Sequence, residues 1–339
     1  MSIVTLLFLA IIVYSARHEI VKAWELMGQV NLWILALLIP LQVISYFIGG
    51  EMMFSYLREK KVIDHIPVWK QARMALEMNF VNHVLPSAGV SGISYMSWRM
   101  KRYGISPGRA TLAQLIRFVA GFAAFIVLLL VSLFVIAVDG DINRWIILFS
   151  ALLIGAMVGS TILAIFILSS SRRTKRSAQW IGRAINAVVR TVTFGYKKNI
   201  LAHSKVEHFF NEIHDDFLSV KREKKLLLRP FLWGLVFNVV EVAMFVSTFY
   251  AFGVVVNPAP ILIAYGLASL AGFAIATPGG AGAYEAIMVS FLTLAGAQPG
   301  VAIAAVLLTR VILLLGTILL GYVFYQDALL RYGKRKHSA

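Results

Sequence analysis

Residues 276–296 read ATPGGAGAYEAIMVSFLTLAG. The stretch lies in one of the most apolar parts of the chain, yet it carries Pro278, Gly279, Gly280, Gly282 and the carboxylate of Glu285. Proline removes a backbone donor and blocks helix propagation, while glycine reaches backbone geometry closed to other residues. The pattern predicts one helix ending near Ala276 and a second starting near Ala283. The first N–H groups of a new helix lack intrahelical acceptors and sit at the positive end of the helix dipole. Within a membrane such a terminus is a ready anion site. Glu285 falls in the first turn, where it either caps those N–H groups or titrates and binds a cation during transport.

The surrounding chain supplies the membrane context. Of 339 residues, 59% are hydrophobic and only 14% are charged, against about 45–50% and about 25% in soluble domains. The apolar residues fall in runs of roughly 18–25, enough to cross a hydrocarbon core of about 30 Å. The fold class is an all-α polytopic membrane protein, one integral domain over residues 1–339. It has about six full spans, near 2–14, 31–56, 112–138, 145–168, 231–252 and 301–325. Two further apolar stretches, 71–98 and 259–297, are broken at Pro86 and Pro278. The first run lacks a basic leader and a small-x-small cleavage site, so it reads as a retained helix. The chain has no cysteine, which excludes disulfides, thiol catalysis and thiolate metal sites.

Charge sets the orientation. The chain carries 32 Lys and Arg and a net charge of +16. Of these, 27 lie in 57–73, 99–109, 172–229 and the C-terminal tail. Arg17, Lys22 and Arg144 fall in the opposite loops, and Arg117 and Arg310 fall inside spans. The excess of cations marks cytoplasmic loops facing anionic lipid rather than a nucleic-acid site. The large basic loop and the C-terminus are therefore expected in the cytoplasm of a cell-membrane protein. With 57–73 and 99–109 both inside, the stretch between them enters and leaves on the cytoplasmic side. The stretch broken at Pro278 is a hairpin from the opposite face. Its arms, and those of its counterpart, are about 13–19 residues, which leaves re-entrant and fully spanning hairpins both open.

A shift of 192 residues registers the two hairpins. Pro86 meets Pro278, Pro107-Gly108 meets Pro299-Gly300, and Arg117 falls one position from Arg310. At a shift of 190, GGEMMF with Glu51 resembles VVEVAMF with Glu241. Repeat one covers about 31–138 and repeat two about 231–325, on either side of the basic loop 172–229. Inverted repeats with broken helices characterise transporters that bind substrate near the midplane. The copies are not chemically equivalent, because Ile93 stands where repeat two has Glu285.

Six charges lie within apolar segments: Arg117, Arg310, Glu51, Glu77, Glu241 and Glu285. Each costs about 2.5–3.5 kcal/mol at mid-helix, and six cost on the order of 15–20 kcal/mol unless paired or wetted. Fixed internal Arg–Glu pairs are the structural reading. Glu51 and Glu77 lie near the inner surface and suit an interfacial role. Arg310, about ten residues into its span, is the strongest functional candidate, and Arg117 follows.

PGGAGAYE (278–285) followed by LLTRVILLLG (307–316) resembles the C-terminal signature of the lysylphosphatidylglycerol-synthase transmembrane-domain family. NHVLPSAGVSGISYMSWRM (82–100) and LIRFVAGF (115–122) are similar to its N-terminal signature, a Pro-Gly break (Pro86, Gly89) followed by Arg99 and then Arg117. The resemblance covers nearly the whole chain. It implies a flippase-like protein that moves lipids, such as aminoacylated phosphatidylglycerol or polyprenyl-phosphate-linked sugars, between leaflets. Some family members carry a fused synthase or glycosyltransferase; here any lipid-modifying enzyme would be a separate partner.

Three weaker signals were weighed. HSKVEHFFNEIHDDF (203–217) lacks the spacing of zinc hydrolases, so no metal is expected. WIGRAINAVVRTVTFGYKK (180–198) alternates apolar and basic residues and suits an amphipathic helix on the inner leaflet. Gly155 and Gly159 form a small-xxx-small pair of the kind used in helix packing. The leading function is a non-enzymatic, cofactor-free translocator of an anionic phospholipid or polyprenyl-phosphate-linked lipid. Its expected partners are membrane lipids, and oligomers are compatible with the sequence. Arg310 and Arg117 would neutralise phosphate, Gly282 and the helix after it would add N–H donors, and Glu285 or Glu241 would supply counter-charge or proton coupling. The rivals are an ion-coupled transporter of small soluble anions and a membrane-embedded enzyme acting on lipid phosphate. The last needs a nucleophile or base, and His83 is the one histidine within the spans.

Overall fold

In the computed structural model, the described residues are 14, 17–85, 90–139, 144–177, 179–180, 203–274 and 282–333. All regular structure among them is helical. In chain order the helices are α1 (Arg17–Leu26), α2 (Leu32–Leu35), α3 (Leu38–Glu59), α4 (Val68–Val84), α5 (Val90–Lys101), α6 (Pro107–Asp139), α7 (Arg144–Leu168), α8 (His203–Arg222), α9 (Leu228–Ala251), α10 (Pro258–Ala274), α11 (Ala283–Leu294) and α12 (Pro299–Gly333). Five stretches are long and apolar enough to cross a membrane: Leu32–Glu59, Pro107–Val138, Arg144–Leu168, Lys224–Ala251 and Pro299–Arg331. The expected span at 2–14 and the amphipathic stretch at 180–198 lie almost wholly outside the described residues.

The halves match helix by helix. α3–α6 have 22, 17, 12 and 33 residues, and α9–α12 have 24, 17, 12 and 35. The punctuation matches too. Each first helix is followed by a left-handed residue, Lys61 (φ 54°) or Gly253 (φ 75°), and each hairpin by a left-handed glycine, Gly104 (φ 79°) or Gly296 (φ 96°). All are 192 residues apart, as are Pro107 and Pro299, which open α6 and α12. Proline suits that first position because its missing N–H has no acceptor there in any case.

Packing exchanges the halves. The arms α4 and α5 share a core with the end of α12, where Phe80 lies 5.3 Å from Tyr325 ring to ring. The arms α10 and α11 share a core with α6 and α7 through Phe125, Leu129 and Leu153. A Cβ on Gly321 would sit 2.4 Å from Phe80, and one on Gly266 only 2.3 Å from Phe125, so each aromatic seats on a glycine of the other half. α3 and α9 run through the middle.

Contacts assign every loop to an end. At the basic end, Lys60 meets Glu223 (3.8 Å), Arg229 meets Glu59 (3.0 Å), Arg109 meets Asp216 (2.8 Å), and His214 Nδ1 donates to the Leu168 carbonyl (2.7 Å). Arg73 on α4 joins Asp327 on α12 there. At the other end Asn31 N–H donates to the Ala251 carbonyl (2.9 Å), and residues 254–257 face 295–298 across a cavity of about 320 Å³. The hairpin α4–α5 therefore opens at the basic end and α10–α11 at the opposite end. Their 12-residue arms are about 18 Å long, too short for a core of about 30 Å. The other arms, α4 and α10, have 17 residues and reach about 25 Å.

Candidate functional site

Arg310 lies eleven residues into α12, about 16 Å from that helix's start, and Glu285 lies nine residues before the end of α11, about 14 Å from the same end. Arg117 lies ten residues into α6, about 15 Å from the basic end. Glu285 stands in the first turn of α11, whereas Arg117 and Arg310 lie within long helices.

Glu285 holds two partners. Its Oε2 accepts from Gly282 N–H at 2.7 Å, and its Oε1 accepts from Arg310 Nε at 2.8 Å. Gly282, at φ 87°, supplies the left-handed turn that aims this N–H at the carboxylate. Glu285 thus caps its own helix and also neutralises Arg310, so the first exposed amide of the terminus is already taken. The Arg310 guanidinium stacks on Tyr284, 4.1 Å from the ring centroid. The side chains of Arg310 and Glu285 keep 21% and 13% exposure.

Arg117 is placed differently. Among the described residues it forms no ion pair, and its Nη1 reaches only Met78 Sδ at 3.8 Å. The backbone of Gly49 lies beside it, so that a Cβ there would stand 3.5 Å from the guanidinium. Glu241 on α9 is equally sparsely met. It accepts from Ser45 Oγ on α3 and has no cation within salt-bridge range among the described residues. Glu241 is within electrostatic reach of both Arg117 and Arg310.

Tyrosines fill the space between. Tyr265 on α10 is within electrostatic reach of Arg117 and Glu241, Tyr284 on α11 of Arg310 and Glu241, and both phenols lie near Ser269. His83, near the tip of α4, feels Arg310 and donates Nδ1–H to the Asn79 carbonyl at 2.9 Å. Seven helices thus converge on one cluster of two cations, two acids and a set of hydroxyls. Most of these groups are half-buried.

Of the residues singled out from sequence, Arg117, Arg310, Glu241, Glu285 and Gly282 come together here. Pro86, Gly89, Pro278, Gly279 and Gly280 lie outside the described residues. Arg99 belongs elsewhere. It is 2% exposed and donates to Glu77 at 3.0 Å, in a closed network with Arg73 (2.8 Å) and the Tyr95 hydroxyl (2.8 Å). Glu51 is likewise met by Arg58. Sequence reading missed Ser45, Tyr265, Ser269 and Tyr284. Tyr265 and Ser269 could have been found, since they stand i and i+4 on one face of an otherwise apolar helix. Among the described residues no group of three or more acids and histidines could hold a metal ion. Glu212 instead accepts from Gly108 N–H at the start of α6.

A UPF0104 membrane protein of Methanothermobacter thermautotrophicus is 26% identical over 238 residues, 68% of this chain and 67% of that protein. No solved structure matches the chain. The family model for the lysylphosphatidylglycerol synthase TM region matches residues 2–321. With that match over nearly its whole length, the chain belongs to the lysylphosphatidylglycerol synthase transmembrane-region family of membrane proteins.

Proposed function

We propose that the protein is a non-enzymatic lipid translocator, moving an anionic phospholipid or polyprenyl-phosphate-linked lipid between leaflets. The observation that carries this reading is the grouping of Arg117, Arg310, Glu241 and Glu285. A cluster of this kind offers a phosphate group guanidinium and hydroxyl donors at a depth where lipid alone offers none. The hairpins open toward opposite ends, so a headgroup entering from either end meets the same site, while the acyl or prenyl tail stays in the bilayer. The basic end is assigned to the cytoplasm by the positive-inside rule. A lipid-modifying enzyme would act as a separate partner.

The test uses purified protein in phosphatidylcholine–phosphatidylglycerol vesicles with fluorescent phosphatidylglycerol, read by quenching of the outer leaflet with dithionite. Wild type is expected to move the probe. Arg310→Ala is expected to slow it tenfold or more, about 1.4 kcal/mol or more of lost stabilisation. Undiminished translocation by Arg310→Ala would sink the reading. A transporter of soluble anions would instead exchange phosphate or small carboxylates across these vesicles and leave the lipid probe in place.

A further inference from the structure

The cluster contains two acids with different surroundings. Glu285 is spent: one oxygen is on Arg310 and the other on Gly282 N–H. Among the described residues Glu241 has one hydrogen bond, from the neutral Ser45 hydroxyl, which can donate to a carboxylate or accept from a carboxylic acid. We propose that Glu241 takes up one proton each time an anionic headgroup docks on Arg117, so that lipid anion and proton cross together as a neutral unit. This inference rests on the translocation reading above.

Charge balance in a poorly solvated cluster is the reason. With no ligand, Arg310 is neutralised by Glu285 in direct contact, and Arg117 by Glu241 at longer range. A monoanionic phosphodiester on Arg117 replaces Glu241 as its counter-ion and leaves one negative charge over. An uncompensated charge away from water is costly, and an ionisable group there responds by neutralising. Glu241 is the group placed to do so. The groups facing it from neighbouring helices are Ser45 and Tyr46 on α3, Arg117 on α6, Tyr265 on α10, Tyr284 on α11 and Arg310 on α12. The phenols start neutral and can yield only a further negative charge, and the guanidiniums stay protonated. Glu285 would have to give up its bond with Arg310 first. The proton comes from water on the loading side, resides on a Glu241 carboxyl oxygen, and is released to water on the far side as the lipid departs and the Arg117–Glu241 balance is restored.

The experiment imposes a pH difference of one unit across the vesicles described above. For wild type, the labelled phosphatidylglycerol is expected to accumulate in the leaflet facing the alkaline side by about tenfold at equilibrium, the value for one proton per lipid. Collapsing the gradient with nigericin should erase the asymmetry. Glu241→Gln, whatever its rate, is expected to give equal leaflets under the same gradient once the probe has equilibrated, because its amide cannot carry the proton. His83→Gln should keep the asymmetry. Equal leaflets for wild type under a gradient, or a tenfold asymmetry retained by Glu241→Gln, overturns the coupling while leaving translocation standing. An asymmetry lost in His83→Gln but kept in Glu241→Gln assigns the proton to the histidine and overturns it too. A wild type that moves no probe at any pH removes the translocation reading and this inference with it.

Discussion

Glu77 and Glu241 are both acids in apolar helices, and their surroundings are opposite. Glu77 is fully buried near the basic end, with Arg73 and Arg99 on its two oxygens and the Tyr95 hydroxyl beside them. Glu241 is half-buried at mid-depth, with one serine hydroxyl. A buried carboxylate with every lone pair filled is a structural strut, because any motion breaks several charge-assisted bonds together. A carboxylate left with one neutral partner is held by the fold but not satisfied by it. The same contrast separates the arginines: Arg99 is ion-paired, while among the described residues Arg117 meets the Met78 thioether and the Phe118 ring but no acid in direct contact. Among the described residues Glu241 and Arg117 lack the direct ion pairs that fix Glu77 and Arg99, while Arg310, paired with Glu285 but partly exposed, stands between the two cases.

The largest test of that contrast is Glu77→Ala. Removing it strands Arg73 and Arg99, and breaking a buried pair from one side costs about 3–5 kcal/mol. The variant is expected to unfold in detergent at a much lower temperature than wild type, or to fail to accumulate. Glu241→Ala strands no cation in direct contact and is expected to shift stability by under about 1 kcal/mol. Equal losses for the two, measured by tryptophan fluorescence during heating, would show that Glu241 is a strut as well.

The second test exchanges the arginines. Arg117→Ala is expected to leave thermal stability within about 1 kcal/mol of wild type and to slow translocation by tenfold or more, about 1.4 kcal/mol. Arg99→Ala is expected to do the reverse, lowering stability while keeping the rate per folded molecule. If Arg99→Ala abolishes translocation in protein that remains folded, the basic-end network belongs to the pathway and the division drawn above is wrong.

Much of this arrangement was legible in the chain. Composition gave the membrane class, and the spans expected at 112–138 and 301–325 fall within α6 and α12, which begin earlier, at the Pro-Gly pairs used as repeat landmarks. Arg310, Arg117, Glu241 and Glu285 stood out because a charge in a long apolar run is costly wherever it is placed. What the sequence could not supply was pairing. Arg99 and Arg117 look alike in one dimension, and their difference depends on Glu77, 22 residues away from Arg99 and on the other arm of the same hairpin. Tyr265 and Tyr284 hid for another reason: aromatic residues are common in membrane helices, and only the meeting at Ser269 gives their hydroxyls a role.

The smallest effect probes the match between the halves directly. Lys61 and Gly253 each follow the first helix of their half in the left-handed region, at φ 54° and 75°. For an L-residue that conformation costs roughly 1–2 kcal/mol per residue, and glycine adopts it freely. The Cβ of Lys61 therefore costs the first half something that the second half does not bear, set against the greater backbone freedom glycine loses on folding. Lys61→Gly is expected to raise stability by about 0.5–1 kcal/mol, and Gly253→Lys to lower it by about 1 kcal/mol or more, with translocation unchanged in both. Nothing lies within 4 Å of a Cβ added at Gly253, so a loss there reports backbone conformation rather than a clash. If Gly253→Lys is neutral, the turn relaxes to another geometry and the correspondence of the two helix ends is looser than their matched φ values indicate.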